Sequence, residues 1–566
     1  MTTRIILSRT LRILLLLWIN TLPVVHASRY RARSCAGSIR HVHLAVGHDP
    51  ATQMTVSFSS VRSFHAPLVG GVLIGTSPDN LDVYIEEKEH RYYNATPDKA
   101  KHGEYHSPLL HAIRIKDLEP STTYYYKCTV RKRHDESPLE ASETAWALRG
   151  NSLKKRKDHS HDHDYMKANQ QQEVMRAEER EESSADNDDE PDQRSRQLDL
   201  DYYDGTQGEC PPPNKIRTFQ TGPALGSLDQ TKKTNNQPSL KFAYIGDIGQ
   251  FEHSQENIVH LVTHERNNLN AIMLAGDIAY TGYDNRRWDT FFDFMDDFFM
   301  VDEIPMQICA GNHDIEKEEN SNEIFLAYEH RFDMPHVQPA QLGVYDGPSG
   351  HLNMDAPPYP LDYEYGNAYY AFSYGITHNI FLNAYSSMDP GSIQYKWLVR
   401  ELQSVERRVT PWLIVTMHVP VYNAFDVHHH DLQILAAKEH IEPLFVQYKV
   451  NLVVAGHIHA YQRTKNVAMD EPTPKGPVHV VVGAGGRQCK AQFQTEEPAP
   501  WVAVRDATRY GYGTLEIFNA THAQWDWVVT GHSEYQDENV LWKQTDTTFP
   551  PLRHSDSVVL ENQFFL

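Results

Sequence analysis

From Ser239 onward, the chain alternates short apolar runs with amphipathic stretches. This pattern predicts strands alternating with helices, and therefore an α/β layer fold. Helical periodicity is present in SIQYKWLVRELQSV from Ser392 and in ILAAKEHIEPLF from Ile434, although Pro443 weakens the second prediction. In α/β sheets, ligands collect beyond the carboxyl ends of the strands. The residues that follow each apolar run are therefore the first candidates for chemistry.

Five apolar runs end in residues that can bind metal ions or move protons. LKFAYIGDIG leads to Asp247, NAIMLAGDIAY to Asp277 and Tyr280, IPMQICAGNHD to Asn312 and His313, PWLIVTMH to His418, and NLVVAGHIHA to His457 and His459. Taken singly, each motif is more often a simple turn or a core histidine than a functional site. Five such ends in one sheet would place these side chains at the same edge. Mixed oxygen and imidazole ligands suit iron, manganese or zinc.

In their order along the chain, these motifs resemble the five-block signature of the purple acid phosphatases. The blocks are Gly246-Asp247-Ile248-Gly249, Gly276-Asp277-Ile278-Ala279-Tyr280, Gly311-Asn312-His313-Asp314, Val415-Thr416-Met417-His418 and Gly456-His457-Ile458-His459. Residues 38–222 also resemble the N-terminal domain of the larger members, and YGYGTLEIFNATHAQWDWV from Tyr510 resembles their C-terminal strands. The blocks are largely shared with metallophosphoesterases in general, so Tyr280 is the mark specific to this family.

The resemblance implies a fold, a metal centre and an activity. The fold is a two-sheet α/β sandwich, the metallophosphoesterase domain, over residues 239–532, preceded by an all-β sandwich of the fibronectin type III kind. A ferric ion would be bound by Asp247, Tyr280 and His459, a divalent ion (zinc, manganese or iron) by Asn312, His418 and His457, and Asp277 would bridge the two metals. The activity is hydrolysis of small phosphomonoesters at acidic pH by a metal-bound hydroxide.

The leaving group of such a reaction needs a proton or stabilisation of its charge. His313, next to Asn312, and His428 are the candidates. Plant members of the family commonly carry two adjacent histidines in the loop after the fourth block, and Val427 occupies the first of those positions here. Because VHHHD offers three histidines, His429 is an alternative to His428.

Two other functions remain open. The same site could hydrolyse phosphodiesters or nucleotide pyrophosphates, or the chain could be a cell-surface binding protein whose phosphatase site is vestigial. The presence of all seven expected ligands favours the enzyme. The net charge of -22 argues against a general nucleic-acid-binding protein.

Residues 1–27 are typical of a secretory signal. Arg4, Arg9 and Arg12 precede the apolar run from Ile13 to Ile19, and VHA ends at Ala27. This run is too short to span a membrane. We therefore expect a secreted protein, extracellular, cell-surface or vacuolar, with no membrane span and with glycosylation at Asn94 and Asn519.

Short alternating runs over residues 38–222 predict a β-sandwich. A charged, polar insert at about 131–208 interrupts it, and its composition predicts disorder. The strand pattern resumes at NKIRTFQTGP, so we expect the insert in a loop of the sandwich, where Cys128 and Cys210 could pair across its base. Cys309, inside an apolar run, is the expected buried free thiol. Residues 533–566 are expected to form a C-terminal tail.

Overall fold

The fold is described from a computed structural model. The described residues are 39–61, 68–87, 89–95, 104–132, 215–298, 301–318, 321–336, 343–345, 347, 351–532 and 554–565. The predicted signal sequence, nearly all of the insert and Cys210 lie outside these ranges. Within the part of the chain that is described, no helix has the length and apolar composition that crossing a bilayer needs.

Two antiparallel sheets form the N-terminal region, which confirms the predicted β-sandwich. One sheet has the order β1-β2-β7, the other β4-β3-β8-β9, and β5 pairs with β6. The strands are β1 (Arg40–Val46), β2 (Met54–Ser60), β3 (Leu68–Gly75), β4 (Val83–Glu86), β5 (Asn94–Ala95), β6 (Tyr105–His106), β7 (Leu109–Ile115), β8 (Thr123–Lys132) and β9 (Arg217–Gln220). Alternate residues such as Val56, Val72 and Phe219 fill the core between the sheets.

Cys128 is a buried free thiol in this core. Cys210, its possible partner, lies outside the described residues, and Cys128 itself packs between the two sheets. Cys309 is also buried and free, as predicted.

The insert connects two neighbouring strands of one sheet. β8 and β9 are antiparallel partners, with Tyr126 opposite Arg217. The chain therefore leaves the sheet at Lys132 and returns beside the same strand, which is the loop position that the sequence predicts.

The rest of the chain is built on two mixed sheets of seven strands each. The first has the order β13-β12-β11-β25-β26-β27, with β10 also pairing with β11. Its strands are β10 (Asp229–Thr234), β11 (Gln237–Ile245), β12 (Ala271–Leu274), β13 (Met306–Ile308), β25 (Arg509–Ile517), β26 (His522–His532) and β27 (His554–Glu561). Part of the predicted C-terminal tail is thus an edge strand of this sheet.

The second sheet has the order β16-β17-β18-β19-β23-β20-β24. Its strands are β16 (Tyr370–Tyr374), β17 (Thr377–Phe381), β18 (Trp412–Thr416), β19 (Leu452–Ala455), β20 (Tyr461–Thr464), β23 (Val478–Val482) and β24 (Val502–Asp506). Two small ribbons complete the strands, β14 (Glu323–Ile324) with β15 (Gly343–Val344) and β21 (Val467–Ala468) with β22 (Glu471–Pro472). Large buried side chains, including Tyr244, Trp412 and Trp525, pack in the core that the two sheets share.

Helices follow the strands as the periodicity predicts. They are α1 (Glu252–Glu265), α2 (Arg286–Phe298), α3 (Leu326–Arg331), α4 (Ile393–Ser404), α5 (Leu432–Ala436) and α6 (Glu442–Gln447). Ser392 caps α4, because its side chain accepts a hydrogen bond from the backbone of Tyr395. A π-helical turn, Ala437–Ile441, joins α5 to α6 just before Pro443. Pro443 has no N–H to donate, which fits this local departure from α-helical hydrogen bonding.

A buried arginine joins the sandwich to the helices. The Arg331 guanidinium donates to the hydroxyls of Tyr93 at 2.9 Å and Tyr105 at 2.6 Å, and to the Asp289 carboxylate at 2.8 Å. Tyr93 precedes β5 and Tyr105 lies in β6, both in the N-terminal region, whereas Asp289 lies on α2. A buried charge with these partners fixes the two parts of the chain against each other.

The position of the insert generates a test. We expect deletion of residues 135–205 to change the melting temperature by less than about 3 °C and to leave phosphatase activity intact, because the cost of closing a loop depends only weakly on its length. Thermal unfolding and turnover of the two proteins give the answer. Failure of the shortened chain to fold would contradict a dispensable insert.

Candidate metal centre

The five predicted strand ends meet, but they belong to two sheets rather than one. β11, β12 and β13 run parallel in the first sheet, and β18 and β19 run parallel in the second. The placement of all five ends in one sheet was wrong, because apolar runs of similar length do not reveal which strands pair, whereas the two-sheet sandwich implied by the family resemblance is confirmed. The sheets approach each other where Gly246 donates to the backbone oxygen of Val482 at 3.1 Å.

Several of the candidate ligands occupy a strained backbone conformation. Asp247, Asp277, Tyr280 and His457 have φ values of 56°, 52°, 49° and 69°. Residues other than glycine rarely adopt this left-handed backbone conformation, and each one that does lowers the stability of the fold by on the order of 1–3 kcal/mol. Glycine would relieve the strain but would bring no ligand. The turns therefore favour the direction of the side chains over local stability.

One cluster contains Asp247, Tyr280 and His459. The Tyr280 hydroxyl lies 3.1 Å from Asp247 Oδ1 and 3.0 Å from His459 Nε2. His459 Nε2 lies 3.5 Å from the same Asp247 oxygen. These three donor atoms face one another around a common point.

A second cluster contains Asn312, His418 and His457. Asn312 Oδ1 lies 3.0 Å from His418 Nε2 and 3.1 Å from His457 Nδ1. The amide nitrogen of Asn312 donates to the Met354 carbonyl at 2.8 Å, which turns the amide oxygen toward the two histidines.

Asp277 lies between the clusters. One carboxylate oxygen of Asp277, one of Asp247 and one ring nitrogen of His459 lie within 4.8 Å of one another. On its other side, Asp277 Oδ1 lies 3.5 Å from His418 Nε2. Gly311 allows this arrangement, because a side chain there would come within 2.0 Å of Asp277 Oδ1. The family resemblance implies a bridging role for Asp277, which stays a prediction.

The hydrogen bonds of the second cluster test whether it suits a metal ion. His418 Nδ1 lies 2.7 Å from the Ala275 carbonyl, and His457 Nε2 lies 3.0 Å from the Asp431 carboxylate. Both partners can only accept, so these nitrogens carry the protons. In its neutral form, each ring therefore turns an unprotonated nitrogen toward Asn312 Oδ1. This oxygen also accepts a hydrogen bond from the Tyr385 hydroxyl at 3.1 Å, which leaves one of its lone pairs to face the rings. The lone pairs of the oxygen and of two neutral rings fit a cation.

The pKa shifts of the two carboxylates also favour a bound cation. Burial raises the pKa of Asp247, whereas at Asp277 burial is outweighed by the surrounding histidines and by the backbone N–H of His313, so the pKa of Asp277 is lowered. Burial also lowers the pKa of His457 and of His459 to about 3, so both imidazoles are neutral even in acid. A buried cation would take the place of the proton that Asp247 otherwise retains.

The predicted proton donors lie at the mouth of this centre. His313 packs on the Tyr280 ring with centroids 4.6 Å apart, and its Nε2 lies 4.0 Å from Asp277 Oδ2. His428 lies against His457 with ring centroids 4.1 Å apart. His429 instead contacts the side chain of Gln494. Of the two alternatives, His428 is therefore the histidine beside the centre.

Sequence reasoning missed three residues. Asp431 Oδ2 accepts hydrogen bonds from both His457 Nε2 and His428 Nδ1, each at 3.0 Å. Asp355 lies 3.4 Å from His313 Nε2, and Arg487 lies over the Tyr280 ring. All three lie in loops, where no apolar run in the sequence predicts a strand end. Of the three, Asp431 could have been suspected from the sequence, because it directly follows the histidines of VHHHD.

Models of known families match three successive parts of the chain. Their descriptions are "Purple acid Phosphatase, N-terminal domain" for residues 39–146, "Calcineurin-like phosphoesterase" for 240–461 and "Iron/zinc purple acid phosphatase-like protein C" for 476–538. "Probable purple acid phosphatase 20" of Arabidopsis thaliana is 31% identical over 58% of this chain and 71% of its own length. This chain belongs to the purple acid phosphatase family.

Other comparisons agree with this family assignment. "Purple acid phosphatase 18" of the same plant is 32% identical over 54% of this chain, and the match spans 62% of that relative, which is less than two thirds. The solved structure of purple acid phosphatase PPD1 from yellow lupin seeds (Lupinus luteus) aligns with 93% of this chain and 74% of its own, with a TM-score of 0.60 and 16% identity. That structural match supports the fold.

Asp431 generates a prediction. If His457 holds a divalent ion, as the family resemblance implies, Asp431→Asn should weaken the affinity for that ion about 10- to 100-fold, because the carboxylate fixes the proton on Nε2 and keeps Nδ1 free. Competition with a chelator measures this affinity. Asp426→Asn, an exposed change in the same loop, is the control. Equal metal retention in the two variants would remove Asp431 from the support of the site.

Proposed function

We propose that this purple acid phosphatase hydrolyses phosphomonoesters at a binuclear centre of one ferric and one divalent ion. The observation that carries the proposal is the convergence of unprotonated nitrogens and buried oxygens in two clusters that share Asp277. The iron/zinc description of the matching C-terminal family model supports the choice of metals. Zinc, manganese and iron remain the candidates for the divalent ion.

We assign the ligands as the sequence predicts. Asp247, Tyr280 and His459 would hold the ferric ion, and Asn312, His418 and His457 the divalent ion. Burial, together with Asp247 and Asp277, raises the pKa of Tyr280 well above its ordinary value, so a tyrosinate here requires a strong Lewis acid. When bound, two metals would polarise the phosphoryl group and lower the pKa of water.

His428 and His313 would serve the leaving group. The pKa of His428 is raised: burial opposes this, but the Asp431 carboxylate, 3.0 Å away, favours the protonated ring. His428 therefore carries a proton in acid and can donate it to the departing oxygen. The backbone N–H of His313 donates to Asp277 Oδ1 at 2.8 Å, which fixes the position of its ring at the other side of the mouth.

A comparison of substrates tests the choice between monoesters and the alternatives. We expect 4-nitrophenyl phosphate to be hydrolysed much faster than its diester, bis(4-nitrophenyl) phosphate, at acidic pH. Preference for the diester would favour a phosphodiesterase. Failure to hydrolyse either, together with an absence of bound metal, would favour a binding protein with a vestigial site.

We also propose that the protein is secreted, to the extracellular space, the cell surface or the vacuole. The support is the signal-like segment 1–27, which lies outside the described residues. The two glycosylation acceptors, Asn94 and Asn519, are exposed, as attachment of a glycan requires. Digestion with a glycosidase that removes N-linked chains, followed by measurement of mass, tests the glycosylation.

The bridging position generates a prediction. Asp277→Asn keeps the size of the side chain and removes the charge that both metals would share, so turnover should fall at least about 1,000-fold and the metal content should decrease. The matched control is Asp389→Asn, which changes an exposed carboxylate paired with His440. Normal turnover with both metals bound would exclude Asp277 from the centre.

Tyr280 generates a second prediction. Tyrosinate bound to ferric iron absorbs visible light by charge transfer, so Tyr280→Phe should abolish the visible band and weaken iron binding while preserving the ring. Tyr283→Phe is a close control, because Tyr283 lies three residues later, also has positive φ, and donates to the Leu352 carbonyl. A band that survives in Tyr280→Phe would contradict the ferric-tyrosinate assignment.

A further inference from the structure

Arg487 places an unneutralised positive charge beside the Tyr280 cluster. The central carbon of its guanidinium lies 5.5 Å from the centre of the Tyr280 ring and 5.2 Å from that of Phe251. The two rings are themselves in edge contact, with centroids 5.8 Å apart. Stacking on two aromatic faces holds the planar guanidinium in place without using its N–H donors.

The sequence before Arg487 explains how it reaches this position. The run Gly483-Ala484-Gly485-Gly486 follows β23 and lies against the turn that carries Asp247. Gly485 donates to the Gly246 carbonyl and Arg487 to the Asp247 carbonyl, each at 3.1 Å. A side chain at Gly485 would come within 2.1 Å of the Gly246 oxygen. The glycines thus lock the Arg487 backbone onto the turn that carries a metal ligand.

No carboxylate among the described residues forms an ion pair with this guanidinium. Asp355, an exposed carboxylate at the same mouth, lies near His313 instead, at 3.4 Å. The pKa of Asp355 is lowered first by its hydrogen bond with His313, and also by the positive charges of His428 and Arg487. These three basic side chains therefore act on the same opening.

Arg487 also lies close to a proposed proton donor. His313 packs on the Tyr280 ring at a centroid distance of 4.6 Å, and Arg487 packs on the same ring. Both side chains also act on Asp355, so a leaving group that receives its proton from His313 would depart within the field of the guanidinium charge.

We propose that Arg487 binds a second anionic group of the substrate, carried by the leaving group next to the phosphoryl group that is hydrolysed. Resting on the proposed phosphatase function, this inference defines the substrate class as phosphoryl compounds with an adjacent carboxylate or phosphate. The guanidinium fork matches both anions and can bind either through two parallel hydrogen bonds. Arg487 is then a determinant of specificity, whereas the metals and Asp277 act on every phosphomonoester.

The experiment compares one substrate of low charge with two that carry a second anion. The kcat/KM of wild type, Arg487→Gln and Arg487→Lys is measured with 4-nitrophenyl phosphate, phosphoenolpyruvate and pyrophosphate. Arg487→Gln should lower kcat/KM about 30-fold or more for the second and third substrates and about 3-fold for the first, and Arg487→Lys should recover part of the difference. Higher ionic strength should reduce the preference of the wild type for phosphoenolpyruvate and pyrophosphate over 4-nitrophenyl phosphate, measured as the ratio of kcat/KM values.

Arg131→Gln is the matched control, because Arg131 stacks on the Tyr84 ring at 5.1 Å in the sandwich, away from the candidate ligands. The visible band and the metal content of each variant confirm an intact centre. A selective loss for both anionic substrates, or for one of them, supports the proposal, and the affected substrate identifies the carboxylate or the phosphate.

Two outcomes would overturn the inference. An equal loss on all three substrates would assign Arg487 to the reacting phosphoryl group or to the structure of the centre. Unchanged kinetics on all three would leave it a packing residue on Tyr280 and Phe251. Failure of the wild type to hydrolyse 4-nitrophenyl phosphate is a separate result, because it contradicts the proposed function itself.

Discussion

The candidate centre is organised by the electron pairs of Asn312, His418 and His457, which face one another. The Ala275 carbonyl fixes the proton of His418 on Nδ1, and the Asp431 carboxylate fixes that of His457 on Nε2. Both remaining ring nitrogens then face the Asn312 amide oxygen at 3.0–3.1 Å, and this oxygen also accepts a hydrogen bond from the Tyr385 hydroxyl. With both rings neutral, lone pairs at this distance repel one another unless a cation lies among them. The two sheets and their turns hold these atoms in place, and hence prepare the site for metal before it arrives.

Holding that arrangement opposes the stability of the fold. Four candidate ligands adopt left-handed backbone conformations, and Asp247 and Asp277 are buried side by side. Strained functional sites of this kind commonly lower the stability of the folded protein. The large core shared by the two sheets offsets this cost, and so does metal binding, since a ligand that binds the folded state stabilises it. We therefore expect the metal-free protein to be markedly less stable than the metal-loaded protein.

The convergence of the candidate ligands was predictable because each follows an apolar run, and the resemblance to the family supplied the roles proposed for them. Periodicity could not reveal that the five strands divide between two sheets, since β12 and β19 look alike in sequence. The roles of Asp431 and Arg487 could not be predicted from the sequence either, because they arise from loops that fold back onto the centre. Cys128 lies in β8, the strand that leads into the insert as expected, and the alternation of side chains along β8 places it in the core. The strand β27 in the predicted tail did carry a visible signal, the apolar residues of HSDSVVLE.

In the proposed centre, His457 and His459, two residues apart, serve two different metals. Metal analysis of His457→Ala and His459→Ala tests this division, with iron and the divalent ion measured separately in each purified variant. We expect His457→Ala to retain iron and its colour but to lose most of the divalent ion, and His459→Ala to lose iron and colour first. Loss of the same metal, to the same extent, in both variants would contradict a centre in which each histidine belongs to its own ion.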